Sequence, residues 1–147
     1  MSHIRQMKGQ FKNIKHLMNA AEKCGLERID KNTYQWYGSW IGDHVTPEGW
    51  TPQEFKNQAG KCDFALKVRG ERDAYEIGVV QRNGKYELLY DDWGNQGQLL
   101  IDKIGYGGKE LTEEYNIAHS TALARKEGLR VKRSTNAQGK KTLVLED

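Results

Sequence analysis

Apolar and polar residues alternate along the chain between Lys61 and Trp93. The alternation is clearest in residues 75–80 and 86–90, and Asn83-Gly84 lies between these two runs. A period of two predicts strands that each have one buried and one exposed face. Asn-Gly readily adopts the positive φ angles that a tight hairpin turn requires. We therefore predict a β-meander at this point as the core of the fold.

The residues before the meander predict one helix between two strands. Residues 3–11 are predicted to form a first strand, and Asn13 is a suitable N-cap for a helix that ends at Gly25. Strand-favouring residues predict a second strand at 33–40. The segment 41–60 holds both prolines of the chain and is predicted to be irregular, although Thr51-Pro52-Gln53-Glu54 can start a short helix.

The residues after the meander predict two helices and a final hairpin. The helices are expected at 98–104 and from about Thr112 to Glu127, and the hairpin at 129–133 and 141–145. Together the elements predict an α+β fold, with a mainly antiparallel sheet of about six strands and two to three helices on one face. The length suits a single domain over residues 1–147.

Composition places the chain among water-soluble globular proteins. Of its 147 residues, 29% are charged and 37% hydrophobic, which excludes a disordered or membrane-bound class. The first residues lack the apolar stretch of a secretory signal, and Cys24 and Cys62 are isolated. We therefore expect an intracellular, cytoplasmic protein without disulfides, cofactor or membrane association.

These elements, with their residues, resemble the hypothetical chloroplast reading-frame thirty-five family, a family of unknown function. The family occurs in cyanobacteria, plastids, other bacteria and bacteriophages. The resemblance covers the opening strand and helix, the meander, and the last helix with the strands behind it. The residues that carry it are Met1-Ser2-His3, Gly25, Cys62-Asp63-Phe64-Ala65-Leu66, Tyr75-Glu76-Ile77-Gly78, Tyr86-Glu87-Leu88, Asp92-Trp93, Tyr115 to Gly128 and Leu143-Val144-Leu145.

Two segments depart from the family pattern. Residues 41–60 are interpreted as an inserted loop, and Gly105 to Gly108 interrupts what is usually a continuous helical stretch. The resemblance implies the fold but no established reaction. Genes of family members often lie beside genes for ring-forming ATPases and small partner proteins. This neighbourhood implies an accessory role in a larger assembly.

Residue types that often carry catalysis are present, but not at the spacing of a known site. The four histidines lie far apart and lack a second ligand at metal spacing, so no metal site is predicted. Asp91-Asp92 forms an adjacent carboxylate pair, but neighbouring side chains at a strand end point to opposite sides. Gly105 to Lys109 is interpreted as a break between helices because Glu110 follows where a phosphate loop has serine or threonine.

Four aromatic residues are candidate contacts for a protein partner: Trp36, Tyr37, Trp40 and Trp50. On the predicted strand, Trp36 and Trp40 share one face and Tyr37 lies on the other. One face can enter the core, which leaves aromatic side chains for solvent or an interface. The alternative is that residues 41–60 fold back over the second face and bury them.

Five cationic residues cluster in the predicted C-terminal hairpin: Arg130, Lys132, Arg133, Lys140 and Lys141. A cationic strand suits phosphate groups, and nucleic-acid binding through it would weaken with salt. The alternative is that lysines on an edge strand prevent edge-to-edge aggregation. This cluster is therefore a candidate phosphate or nucleic-acid surface.

Three hypotheses follow for the function. The leading one is a small non-enzymatic binding or adaptor protein that contacts a protein partner, with a ring ATPase assembly as the partner that the resemblance implies. The second is a nucleic-acid-binding protein that uses the basic hairpin. The third is an enzyme with a site across Asp91, Asp92 and His119.

Overall fold

The computed structural model describes residues 4–38 and 46–146. Within these ranges the chain forms seven strands and four α-helices. The strands are β1 (Ile4–Gln6), β2 (Leu26–Ile29), β3 (Phe64–Val68), β4 (Ile77–Arg82), β5 (Lys85–Asp91), β6 (Arg130–Thr135) and β7 (Lys141–Glu146). The helices are α1 (Ile14–Lys23), α2 (Pro52–Gln58), α3 (Gly94–Ile104) and α4 (Lys109–Lys126), and a 3-10 helix (Tyr106–Gly108) joins α3 to α4.

Five of the strands form one antiparallel sheet in the order β1-β5-β4-β3-β2. The turn between β4 and β5 is Asn83-Gly84, with φ angles of 53° and 75°. In the register of this pair, Gly78 lies opposite Leu89 and Val80 opposite Glu87. The predicted α+β class and the predicted meander are confirmed.

The first face of the sheet is apolar and carries three helices. Side chains of β3, β4 and β5 pack there against Leu17 of α1, Leu100 of α3 and Leu111 of α4. The N-terminus of α1 is capped as predicted, because the side chain of Asn13 accepts a hydrogen bond from the backbone N–H of His16 at 3.2 Å. The Tyr115 hydroxyl accepts hydrogen bonds from the N–H groups of Lys12 and Asn13, so α4 also holds the start of α1.

The second face is covered by α2 and by irregular segments. Tyr34, Trp50 and Phe55 pack there against strand residues such as Ala65 and Leu89. Helix α2 begins with a capping box, in which the Thr51 side chain and the N3 glutamate each bond the backbone of the other. The start of a short helix within 41–60 is thus confirmed, and residues 41–45 lie outside the described ranges.

The predicted strand at 33–40 is wrong for its described part, 33–38. Thr33 makes a single bridge with Lys61, and the following residues cross the face of the sheet instead of extending its edge. Gly78 shows why: its missing side chain leaves room for the ring of Tyr34, which a Cβ would strike. The sheet gains β2 instead, a four-residue strand that the sequence analysis missed.

The segment after the meander differs from the prediction in its boundaries. Helix α3 begins at Gly94, and α4 begins at Lys109, with Gly108 as its N-cap in the left-handed conformation (φ 78°). The glycine segment breaks the helix, as predicted, and Gly108 is buried against Met7. Strands β6 and β7 form a separate two-stranded sheet that packs on α4. None of the helices in the described ranges is long and apolar enough to span a membrane.

Candidate functional site

Trp50 lies inside the molecule, so its expected exposure to a partner is wrong. Only 8% of its surface is exposed, and its indole N–H donates to the Glu87 carboxylate at 2.7 Å. The Arg82 guanidinium stacks on the ring at 3.8 Å from its centroid. Trp50 therefore holds the described part of the 41–60 segment against the second face, which is the alternative that the sequence analysis left open.

The other predicted aromatic contacts have different surroundings. Trp36 is half-buried and packs on the second-face cluster, where its indole approaches Gly60 so closely that a Cβ on Gly60 would strike it. Tyr37, one residue later, is 48% exposed. Trp40 lies outside the described residues. Of the four candidates, the structure thus leaves Tyr37 clearly available to a partner.

The backbone of Tyr37 is held by a buried carboxylate, Asp91. Asp91 is fully buried at the end of β5, where its position in the strand alternation directs its side chain to the second face, like those of Glu87 and Leu89. One of its oxygens accepts from the Tyr37 N–H at 3.1 Å, and the other accepts from the Trp93 N–H at 2.9 Å. A buried charge requires hydrogen-bond donors, so Asp91 fixes the positions of the backbone N–H groups of Tyr37 and Trp93.

We call Tyr37, Asp91 and Trp93 the Asp91 clamp. The side chain of Trp93 is also on the surface, with 43% of the residue exposed. Two aromatic residues that are 56 positions apart in the sequence are thus anchored on one carboxylate. Trp93 was not predicted to be a site residue, although an aspartate two residues before it is the pattern of an Asx turn.

The electrostatic surroundings of the clamp agree with this geometry. Burial, followed by the charges of Asp91 and Tyr37, raises the pKa of the Tyr75 phenol. The next residue, Asp92, turns away and pairs with Arg5 of β1. The two adjacent carboxylates therefore diverge, as the strand geometry predicts.

Two further buried carboxylates hold irregular segments on the second face. Glu76 accepts from the backbone N–H of Gln35 and from Lys31 Nζ, both at 2.7 Å. Glu87 accepts from Trp50, as described above. With Asp91, they place three buried acidic groups beneath residues 31–38 and 46–60. These carboxylates hold the irregular segments on the second face through hydrogen bonds and an ion pair.

Some cationic side chains of the hairpin form ion pairs with α4, and others do not. Arg133 and Lys141 point to α4 and pair with Glu114, and Lys141 also pairs with Glu110. Burial alone would raise the pKa of the Glu114 carboxyl, but the Arg133 hydrogen bond and the Lys141 charge outweigh it and lower that pKa. Arg133 and Lys141 thus hold the hairpin on α4, and their charge is partly neutralised by these carboxylates.

The remaining hairpin cations, Arg130, Lys132 and Lys140, are exposed. In the described ranges no carboxylate lies within ion-pair distance of them. Arg130 and Lys132 share the outer face of the hairpin, opposite in direction to Arg133, as their alternation predicts. These three side chains keep the cationic surface that the sequence analysis expected.

The residues of the third hypothesis are not brought together. His119 lies on α4 beside His16 of α1, with 5.4 Å between the ring centroids, whereas Asp91 lies under Tyr37 on the second face. Burial and the neighbouring His119 lower the pKa of His16. Burial, then the charge of Asp63, raises the pKa of the Cys62 thiol to about 11, which fits a packed thiol. The described residues contain no group of three potential ligands placed to hold a metal ion.

Comparison with protein-family models, with curated proteins and with solved structures gives no match to this chain.

Proposed function

We propose that this protein is a non-enzymatic binding protein that docks on a protein partner through the Asp91 clamp. The observation that carries the proposal is the pair of surface aromatics, Tyr37 at 48% and Trp93 at 43% exposure, fixed on one fully buried carboxylate. Tyrosine and tryptophan are enriched at the energetic centres of protein interfaces. Because the backbone at both residues is held before binding, less conformational entropy is lost there when a partner arrives.

The charge around the clamp favours a protein over a nucleic acid as its partner. Exposed rings can also stack on nucleobases, but a nucleic-acid backbone needs cations nearby. Here the two residues lie beside two carboxylates, Asp91 and Asp92, and Asp92 pairs with Arg5. Phosphates would meet negative charge at this point, whereas an uncharged or basic protein surface would not.

The resemblance to the chloroplast reading-frame thirty-five family supports the same proposal. It suggests an accessory protein in a larger assembly, with a ring ATPase as the first partner to examine. The clamp supplies a defined contact surface for such a role.

The test relies on the fact that Tyr37 and Trp93 bond Asp91 through their backbone N–H groups. Tyr37→Ala and Trp93→Ala remove the rings but keep the N–H groups that bond Asp91, so the fold is retained. The chain is immobilised on a support and incubated with a nuclease-treated lysate of its host, and the captured proteins are identified. The affinity of each variant for the purified partner is then measured. We expect each variant to weaken binding by about 2 kcal/mol or more, the effect of an interface hot spot.

Tyr106→Ala is the matched control. Among the described residues, Tyr106 is the most exposed large hydrophobic side chain, at 80%, and it lies in the 3-10 helix, which is not part of the clamp. Its removal should leave partner affinity unchanged. Equal effects of all three substitutions, or capture that disappears with nuclease, would contradict the proposal.

A nucleic-acid surface on the hairpin is the second candidate function. It is favoured by the exposure of Arg130, Lys132 and Lys140 without a carboxylate in pairing distance among the described residues. Binding through three phosphate contacts should weaken with salt with a log–log slope of about 2 to 3 in magnitude. Arg130→Glu with Lys132→Glu should abolish it, whereas Lys8→Glu with Lys12→Glu, also exposed, should change it little. Fluorescence anisotropy with single-stranded RNA and DNA measures the salt dependence and the effect of each pair of substitutions on affinity.

A further inference from the structure

A groove of about 750 Å³ separates α1 from α4. Both helices line it, together with Arg69 after β3 and Arg133 of β6. The groove is open to solvent, and its volume would admit a small molecule. The groove is separate from the Asp91 clamp and plays no part in the proposed protein contact.

The groove collects positive charge from four separate segments of the chain. Its cationic side chains are Lys23, Arg69, Arg125 and Arg133. The carboxylates in its wall are Glu22 and Glu114. Each cation comes from a different element or connection, so folding is what concentrates the charge here.

Most of this positive charge is not neutralised by the protein. Arg133 and Lys141 already engage Glu114. Lys23, Arg69 and Arg125 have no ion pair within the described ranges, and the Arg69 guanidinium donates to the Leu26 carbonyl oxygen at 3.4 Å. Three available cations therefore face one carboxylate, Glu22, and the groove is an electropositive concavity.

The rest of the lining is partly apolar. Ile117, Ala118 and Ala122 on α4 offer a surface without charge, and Asn19 and Thr121 offer hydrogen-bonding groups. The combination of planar guanidinium donors with a small apolar surface suits a ligand that has a phosphate at one end and a less polar body.

We propose that this groove binds a small phosphorylated molecule of nucleotide size, with its phosphates held by Lys23, Arg69 and Arg125. Arginine donates paired hydrogen bonds that match phosphate oxygens, and lysine adds a point charge. The body of the ligand lies along Ile117 and Ala118. This site is independent of the protein-binding proposal.

Isothermal titration calorimetry of the full chain with ADP as the probe tests the site. We expect saturable binding of one ADP per chain. Arg69→Gln combined with Arg125→Gln should weaken it by about tenfold or more, because each substitution removes charge-assisted hydrogen bonds. Amide signals of residues 16–23 and 117–125 should shift on addition of ADP, which locates the ligand without any substitution.

Lys56→Gln combined with Lys61→Gln is the matched control, because it removes the same charge from exposed side chains that neither line the groove nor belong to the cationic hairpin. This pair should leave ADP affinity nearly unchanged, and both double variants should keep the far-ultraviolet circular dichroism of the parent. An equal loss of affinity in the two double variants would show general attraction between charges and overturn the site. Binding weaker than about 1 mM with no shifts in α1 and α4 would overturn it as well.

Discussion

The two faces of the five-stranded sheet are built by different chemistry. The first face is apolar and lies under three long helices, whereas the second carries three buried carboxylates under irregular segments. Apolar packing has no direction and stabilises any well-filled arrangement. Buried carboxylates accept hydrogen bonds at defined positions, and a buried carboxylate without a donor lowers the stability of the fold. The first face thus provides stability, and the second fixes where particular residues lie.

This difference explains why the candidate site lies on the second face. A surface loop that only packs on apolar residues can shift, but Tyr37 and Trp93 are fixed to the two oxygens of Asp91. Glu76 fixes Gln35 in the same way, two residues before Tyr37. The position of the exposed rings therefore depends on polar groups that contribute little to the hydrophobic core.

The largest expected effect is on the first face. Leu66 of β3 is fully buried there, and Leu66→Ala should lower the free energy of unfolding by about 2 to 5 kcal/mol because it removes packing and leaves a cavity. Urea denaturation measures the loss. Val144→Ala on the hairpin, where the side chain is 42% exposed, is the control and should change it by less than about 0.5 kcal/mol. A loss below 1 kcal/mol for Leu66→Ala would mean that this face does not carry the stability.

The second expected effect is local and lies at the clamp. Asp91→Asn keeps the shape of the side chain but replaces one carboxylate oxygen by an amide that cannot accept. One of the N–H groups of Tyr37 and Trp93 then loses its acceptor, which costs about 2 kcal/mol. Hydrogen exchange should speed up at one of these two amides far more than in β3.

Asp92→Asn is the control for the clamp. Its carboxylate pairs with Arg5, whose side chain is 57% exposed, so the loss should be below about 1 kcal/mol. If Asp91→Asn accelerated exchange equally across the whole sheet, Asp91 would belong to the stabilising core, and the contrast between the faces would fail.

The elements of the first face could be predicted from the sequence because they follow periodic patterns. Alternation marks β4 and β5, Asn83-Gly84 marks their turn, and helical spacing ending at Gly25 marks α1. Each of these signals is local. They depend on neighbouring residues and need no knowledge of distant contacts.

The second face could not be predicted in the same way because its contacts join distant residues. Residues 33–38 have strand-favouring side chains, yet Tyr34 lies across Gly78, which only tertiary packing reveals. Trp50 is aromatic and follows a glycine, and nothing local shows that Glu87 accepts its N–H. The Asx turn from Asp91 to Trp93 is local, and it is the one part of the clamp that the sequence could have indicated.

The smallest expected effect is at the hairpin, where a buried carboxylate again holds a peripheral segment. The pKa of Glu114 is lowered in the folded protein, so the unfolded chain binds a proton more readily. The stabilisation is therefore complete above the unfolded pKa of about 4.3 and is lost as the pH falls through the lower folded value. Because Arg133 is 42% exposed, we expect only about 1 kcal/mol in total.

Amide exchange in β6 and β7 as a function of pH, corrected for the intrinsic exchange rates, measures this effect. Glu114→Gln should loosen the hairpin at neutral pH and remove the loss of protection in acid, because glutamine has no proton to gain. Glu113→Gln, a neighbour on α4 without an ion pair in the described ranges, should leave the profile unchanged. An acid profile that persists in Glu114→Gln would show that another group holds the hairpin. The use of buried carboxylates as anchors would then be confined to the second face of the sheet.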